Sequence, residues 1–92
     1  MILDDVRLKA VPILRGARVA RAAVFGSVAR GEEDAGDIDI LVEMPRPYGL
    51  FAFLSIKADL EEALQRKVDL VEYAVLKPSI RQRALQAAVE II

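Results

Sequence analysis

The 92 residues contain no cysteine and no histidine. Disulfides, thiolate metal sites, imidazole bases and serine–histidine triads are therefore excluded within this chain. Any metal must be held by oxygen, which favours Mg²⁺ or Mn²⁺. Neither sign of charge dominates: 13 basic and 14 acidic residues are mixed along the chain, for a net charge of −1. Without a basic stripe, direct nucleic-acid binding is not indicated. The opening MILDDVRLKA lacks a basic segment followed by an apolar one, and no apolar run approaches a membrane span. A cytoplasmic protein with no membrane attachment is expected. Glycine is scarce, at 5, whereas 54% of the residues are hydrophobic. The length suits one domain over residues 1–92, and so small a domain cannot hide that much apolar surface. An exposed apolar patch is expected, serving a partner or self-association.

The pattern predicts four helices and three strands. Leu3 to Arg15 has apolar residues at helical spacing (Leu3, Val6, Ala10, Ile13), with Asp4 and Asp5 at the favourable end. Pro12 should kink or break this helix, and Gly16 is placed to follow it as the C′ residue. Val19 to Phe25 reads as a strand, followed by a short helix near Ser27 and a loop over Gly31–Gly36. In Asp37–Glu43 the residues Ile38, Ile40 and Val42 share one strand face and should be core. Tyr48 to Arg66 is the longest helix, with Phe53, Ile56, Leu60 and Leu64 as its stripe, widened by Leu50, Leu54 and Ala63. Pro47 stands where that helix can start, and Lys57 with Glu61 forms an i,i+4 pair. Val68–Tyr73 is a third strand. Pro78–Ala88 is the last helix, with Ile80, Ala84, Leu85 and Ala88 inward. Val89–Ile92 either extends it or adds a short strand. The order defines an α/β (α+β) domain, but its sheet order does not follow from pattern.

Chemistry concentrates in Val24–Glu43, VFGSVARGEEDAGDIDILVE. Gly26-Ser27 at a strand-to-helix junction bares backbone N–H groups and a hydroxyl, which suits a phosphate. The same residues also suit an ordinary turn with a serine N-cap, and the two uses are compatible. Asp37 and Asp39, at i and i+2 of a strand, point to one face with Cα atoms roughly 6.5–7 Å apart. Such a pair calls for a divalent cation. A phosphate cradle beside paired carboxylates suggests metal-assisted phosphoryl chemistry, in which a third carboxylate normally completes the site. Asp69, within the otherwise apolar Val68–Val71, is the natural candidate. Arg30 is placed to meet a triphosphate or the aspartates, or to form a structural salt bridge. Glu32, Glu33 and Asp34 read as a solvated loop. Tyr48, Phe51, Phe53 and Tyr73 read as core or rim, with Tyr73 placed to lie near the site. Arg81 and Arg83 read as the polar face of the last helix.

Gly26-Ser27, Ala29-Arg30-Gly31 and Asp37-Ile38-Asp39-Ile40 together resemble the signature of the minimal nucleotidyltransferases (MNT), the smallest members of the polymerase-beta-like superfamily. The likeness continues through Lys67-Val68-Asp69-Leu70-Val71 and the tail Leu76-Lys77-Pro78 to Ala88-Val89. The resemblance implies the polymerase-beta-like nucleotidyltransferase core, a small mixed sheet backed by helices. It implies two Mg²⁺ ions (Mn²⁺ as substitute) held by Asp37, Asp39 and Asp69, with Gly26, Ser27 and Arg30 at the phosphates of ATP. Three departures stand out. Nine residues separate Ser27 from Asp37, one fewer than in the commonest family form. Gly36 replaces a polar residue, and Gln65 stands where a helix-ending glycine is common.

The function implied is transfer of AMP (or another NMP) from ATP (or another NTP) to a protein hydroxyl. By resemblance the acceptor is a tyrosine of a HEPN ribonuclease toxin, silenced by this chain as its antitoxin in a hetero-oligomer. The alternative is an antitoxin that neutralises the HEPN partner by occlusion alone. A third reading is a self-associating scaffold that binds nucleotide for regulation.

Overall fold

The computed structural model describes residues 2–31 and 36–92, without the side chain of Ser27. The expected solvated loop of Glu32, Glu33 and Asp34 lies outside the described residues. Eight elements follow one another: α1 (Leu3–Gly16), β1 (Arg21–Phe25), α2 (Gly26–Ala29), β2 (Ile38–Glu43), α3 (Leu50–Leu64), β3 (Val68–Glu72), α4 (Pro78–Ala87) and β4 (Val89–Glu90). A single 3₁₀ turn, Tyr73–Val75, links β3 to α4.

The four strands form one mixed sheet in the order β3-β2-β1-β4. β1 runs antiparallel to both β2 and β4, whereas β2 and β3 are parallel, joined across α3. This is the polymerase-beta-like nucleotidyltransferase arrangement expected from the resemblance, a small mixed sheet backed by helices. The terminal strand settles the choice at Val89–Ile92: the chain pairs with β1 rather than prolonging α4.

α1 and α3 lie against one face of the sheet. Val6, Ala10 and Leu14 of α1 and Ile56, Leu60 and Leu64 of α3 pack on Ala22, Val24, Ile38, Ile40, Val42, Val68 and Leu70. The strand alternation predicted for β2 is therefore observed on this side. A smaller cluster on the other face joins Ala23, Leu41 and Tyr73, flanked by Phe25, Val71, Leu76, Ala84 and Ala88. Both faces of β1 and β2 are thus covered at their centres, which explains the unbroken apolar run Ala22-Ala23-Val24.

Several local expectations need correction. α1 continues through Pro12 to Gly16. Leu8 and Pro12 are exposed, so water can serve the carbonyl that proline leaves unpaired. Gly16 is the last helical residue, and the left-handed position falls on Arg18, at φ 61°. Arg18 N–H bonds to the Arg15 carbonyl and Val19 N–H to the Leu14 carbonyl, each at 3.0 Å. That pair is the Schellman closure. α3 starts at Leu50 rather than beside Pro47, because Tyr48 is drawn instead to the Glu72 carboxylate at 3.1 Å. Leu50 and Leu54 consequently stand exposed at the outer side of α3. Glu61 does not pair with Lys57. Its Oε2 accepts the Val68 N–H at 3.0 Å and so holds the start of β3. Ile80 and Leu85 are exposed, because α4 reaches the sheet through the small residue Ala84, with Ala88 just beyond its end.

Among the described residues, Glu72 is the one buried charged side chain, 3% exposed. It accepts from Arg46 at 2.9 Å, from Tyr48 and from the Ala74 N–H at 3.3 Å. Three donors offset the desolvation of one carboxylate and tie the loop after β2 to the end of β3. The expected exposed apolar surface is also present: Phe51 is 90% exposed, with Leu8, Leu50 and Val75 similarly open.

Gln65 ends α3 in the left-handed region, at φ 54°, ψ 37°. The position noted in sequence as one that favours glycine does require an unusual backbone. Its side chain recovers part of the cost by donating to the Glu62 carbonyl at 2.6 Å. Gln65→Gly should raise stability by about 0.5–1 kcal/mol. Thermal unfolding should register this as an increase in Tm, at about 4–8 °C per kcal/mol for a domain of this size.

Candidate active site

Parallel pairing of β2 with β3 sets Asp39 directly beside Asp69. Register partners on adjacent strands point to the same face, with backbones about 4.8 Å apart. Asp69 and Asp37 are both close enough to act on Asp39 electrostatically. Asp39 is half-buried, whereas Asp37 and Asp69 are exposed. Partial burial, then the charge of Asp69, then that of Asp37 raise the Asp39 pKa above its ordinary 3.8, and Arg30 opposes the shift. Asp69, Asp37 and Arg30 thus each lie near enough to Asp39 to influence it.

One premise of the sequence argument does not hold. Asp69 is exposed although its neighbours Val68 and Leu70 are buried, so burial does not oblige it to find a partner. Its proximity to Asp39 creates the demand instead. β2 supplies Asp39 from the face opposite the α1/α3 core, while Ile38 and Ile40 anchor the strand inside that core.

The glycine corner meets the same carboxylate. Phe25 pairs with Asp39 across β1 and β2, and the chain then turns sharply at Gly26, which has φ 74°. A Cβ at this residue would overlap Asp39 Oδ2. Glycine is required twice here, by the backbone angle and by the approach of the carboxylate. α2 then makes one turn, closed by Arg30 N–H to the Gly26 carbonyl at 3.2 Å and Gly31 N–H to the Val28 carbonyl at 3.0 Å. Gly31, at φ 82°, is the turn glycine expected from sequence. The Ser27 side chain, expected to meet phosphate, lies outside the described residues.

Among the described residues, no three Asp, Glu, His or Cys side chains already form a metal cage. The donor set nevertheless suits a hard divalent cation. It offers oxygen only, and partial burial together with the charges of Asp69 and Asp37 already disfavours the ionised form of Asp39. Mg²⁺ is commonly held by one or two carboxylates with substrate phosphates completing the shell, so a preformed cage is not required.

Tyr73 does not lie near these acids. It is four residues beyond Asp69, about 13 Å along the strand, and is buried with the Arg21 guanidinium 4.6 Å from its ring centre. Arg81 is half-buried rather than part of a polar face, and it donates to the Leu76 carbonyl at 3.2 Å. Glu72, Arg46 and Arg21 received no role from sequence. One signal was available: Glu72 has the same strand parity as Val68 and Leu70, so a charge stood on the buried side.

The chain matches the nucleotidyltransferase domain family over residues 8–91. It is 38% identical over 93 aligned positions to a Methanocaldococcus jannaschii protein named putative protein adenylyltransferase, with both chains covered in full. A solved structure described as a putative minimal nucleotidyltransferase superposes with a TM-score of 0.82 at 35% identity, covering 97% of this chain and 95% of that one. A Shewanella oneidensis complex of a tri-AMPylated HEPN toxin with an MNT antitoxin aligns with a TM-score of 0.74 at 22% identity. That alignment covers 95% of this chain and 69% of the other and shows likeness of fold. The chain belongs to the nucleotidyltransferase domain family. Among the described residues, no helix is long and apolar enough to cross a membrane.

Two outcomes follow from the geometry. Gly26→Ala should lower stability by about 1–3 kcal/mol, since alanine is strained at this φ and displaces Asp39. Denaturant unfolding checks this. The raised Asp39 pKa has a defined sign: the folded state holds the proton more tightly than the unfolded state. Its stabilising contribution is fully present below the unfolded pKa and is lost as pH rises through the folded one. In metal-free buffer Asp39→Asn should therefore be more stable than the parent near neutral pH. The gap should close as pH falls through the folded Asp39 pKa towards 3.8. Melting both proteins across that range decides the matter.

Proposed function

We propose that this chain is a nucleotidyltransferase that moves AMP from ATP to a hydroxyl of a partner protein. The observation that carries the reading is the in-register Asp39–Asp69 pair held against the Gly26 corner, with Asp37 and Arg30 beside it. The support for AMP transfer to protein is the name of the full-length Methanocaldococcus jannaschii relative.

In this reading Asp37, Asp39 and Asp69 hold Mg²⁺, and the N–H groups and hydroxyl at Gly26-Ser27 receive a phosphate of ATP. Bound there, magnesium would supply Lewis acidity and neutralise charge on the phosphates. The chain's own work is orientation. Gly26 lets the backbone come close, Asp39 is fixed by its neighbours, and Arg30 offsets negative charge at the acids. No side chain has to act as a strong base, in keeping with the absence of histidine and cysteine.

The partner in this reading is a HEPN-domain toxin, and the acceptor a tyrosine of it. Support comes from the Shewanella oneidensis complex of like fold, in which the HEPN toxin is the AMPylated protein. Exposed Phe51, Leu50 and Val75 offer apolar surface for such a contact. The setting is the cytoplasm, where ATP is available.

Mixing the purified chain with ATP, Mg²⁺ and the HEPN-domain partner tests the reading by intact-mass spectrometry. The partner should gain one or more AMP units, and Asp39→Asn should abolish the gain while keeping its fold by circular dichroism. Inhibition of the partner with no mass change would identify occlusion instead. Wild-type transfer by Asp39→Asn would remove the role given to the acids.

A further inference from the structure

The sheet ends at β3, which pairs with β2 alone. Ile38 N–H donates to the Lys67 carbonyl at 2.9 Å, and this bond fixes the phase of the ladder. The backbone groups of Asp69 and Val71 turn towards β2, whereas those of Val68, Leu70 and Glu72 turn outwards. Glu61 takes the first outward donor, the Val68 N–H. Among the described residues, the N–H groups of Leu70 and Glu72 have no such partner. Free edges are usually blunted by lysine, proline or a bulge. β3 contains neither lysine nor proline, and its register with β2 runs unbroken from Val68 to Glu72.

The flank of α3 beside this edge is apolar. Glu61, by reaching Val68, marks which flank that is. Lys57, Leu54, Phe53 and Leu50 follow on it at helical spacing, back towards the start of the helix. Leu50 and Leu54 are exposed, although their spacing places them in the apolar stripe. The stripe is wider than the sheet beneath it, and the overhang lies where one more strand would run. Leu50, Phe53, Leu70, Val71 and Val75 line a cleft of about 280 Å³ there. An unpaired strand edge and an apolar overhang are complementary to one kind of object, an extended segment of alternating side chains.

We infer that the acceptor protein docks by adding an extended segment to the outer edge of β3, an inference that rests on the transfer reading above. Asp69 belongs to this edge strand, so a strand added at its level puts every second side chain on the face of the acids. The residue at the Asp69 level carries the acceptor hydroxyl. Its chain neighbours fall on the opposite face and cover Leu50, Leu54 and Leu70. The partner's segment is therefore a hydroxyl residue between apolar ones, in a stretch of chain able to extend. A second copy of this chain fits less well. Two β3 strands paired antiparallel about Leu70 would bring their Asp69 side chains to one face as diagonal neighbours, roughly 7–8 Å apart. That would add negative charge beside acids whose charges already oppose ionisation of Asp39. Docking forms no covalent bond and leaves the transfer step itself unchanged.

The probe is a short peptide with a central tyrosine between two valines and polar ends. Its control is the same peptide N-methylated at those three residues, which keeps the side chains and removes the backbone donors. Amide NMR of the chain without nucleotide reads binding, and the intact mass of the peptide after incubation with ATP and Mg²⁺ reads transfer. Saturable shifts and slowed hydrogen exchange at the Leu70 and Glu72 amides are expected with the probe and not with the control. Leu50→Lys and Leu54→Lys, both at exposed positions, should each weaken binding about tenfold or more, the loss of one apolar contact. The inference is overturned if these amides do not respond, if the control acts equally, or if both lysine variants bind as the parent does. Protection of the Leu70 amide that grows with protein concentration, without peptide, would give the edge to a second copy and overturn it as well. The two readouts fail separately. Edge binding with no AMP gain keeps the docking and counts against the transfer reading, whereas AMP gain with no edge response keeps the transfer reading and overturns the docking.

Discussion

Two like charges held in register on parallel strands are the constraint on which this molecule turns. Asp39 and Asp69 meet because β2 and β3 pair at that level. Their backbones cannot separate without slipping the ladder that buries Ile38, Ile40, Val68 and Leu70. The apolar core therefore supplies the force that holds the acids together against their own repulsion. The Asp39 pKa is raised first by partial burial and then by the charges of Asp69 and Asp37. Sites that cost stability in the free protein and gain it on meeting a cation are a common signature of function.

The surrounding parts fit this constraint. β1 delivers Gly26 to the Asp39 carboxylate because Phe25 and Asp39 are register partners. The absence of a side chain there leaves room for the acid. The buried Glu72 and its donors fix the far end of β3, and Glu61 fixes its start. Both contacts maintain the level of β3 against β2 from outside the site. The second face of the sheet is only lightly covered, since α4 contributes Ala84 and keeps Ile80 and Leu85 outside. That thin cover leaves a pocket beside Tyr73, lined in part by Arg21, Arg46 and Arg81.

The legible part of the sequence was its local physics. Alternation in Ile38-Asp39-Ile40 marked a strand with an acid on the face opposite its core residues, and the structure keeps that pattern. Gln65, standing where glycine is usual, marked a left-handed helix end. Local reading misled wherever a distant group competed for the same residue. Glu61 has a lysine at helical spacing but serves the Val68 N–H instead. Tyr48 has helical surroundings but is claimed by Glu72, 24 residues away. Ile80 and Leu85 have the spacing of a buried stripe, yet no opposing surface reaches them.

Absence of histidine and cysteine, the glycine–serine corner and the spacing of the first two aspartates are written in the chain itself. They limit the chemistry to oxygen ligands and phosphate, because residue type alone decides which donors exist. Strand order is a different kind of fact. That Asp69 arrives beside Asp39 depends on β3 pairing in parallel with β2, and that choice is made by the packing of α3 between them in sequence and behind them in space. The pocket around Tyr73 is likewise a product of tertiary structure. Its arginines are separated by up to 60 positions (Arg21 to Arg81) and become neighbours only when the sheet and α4 close over the same phenol.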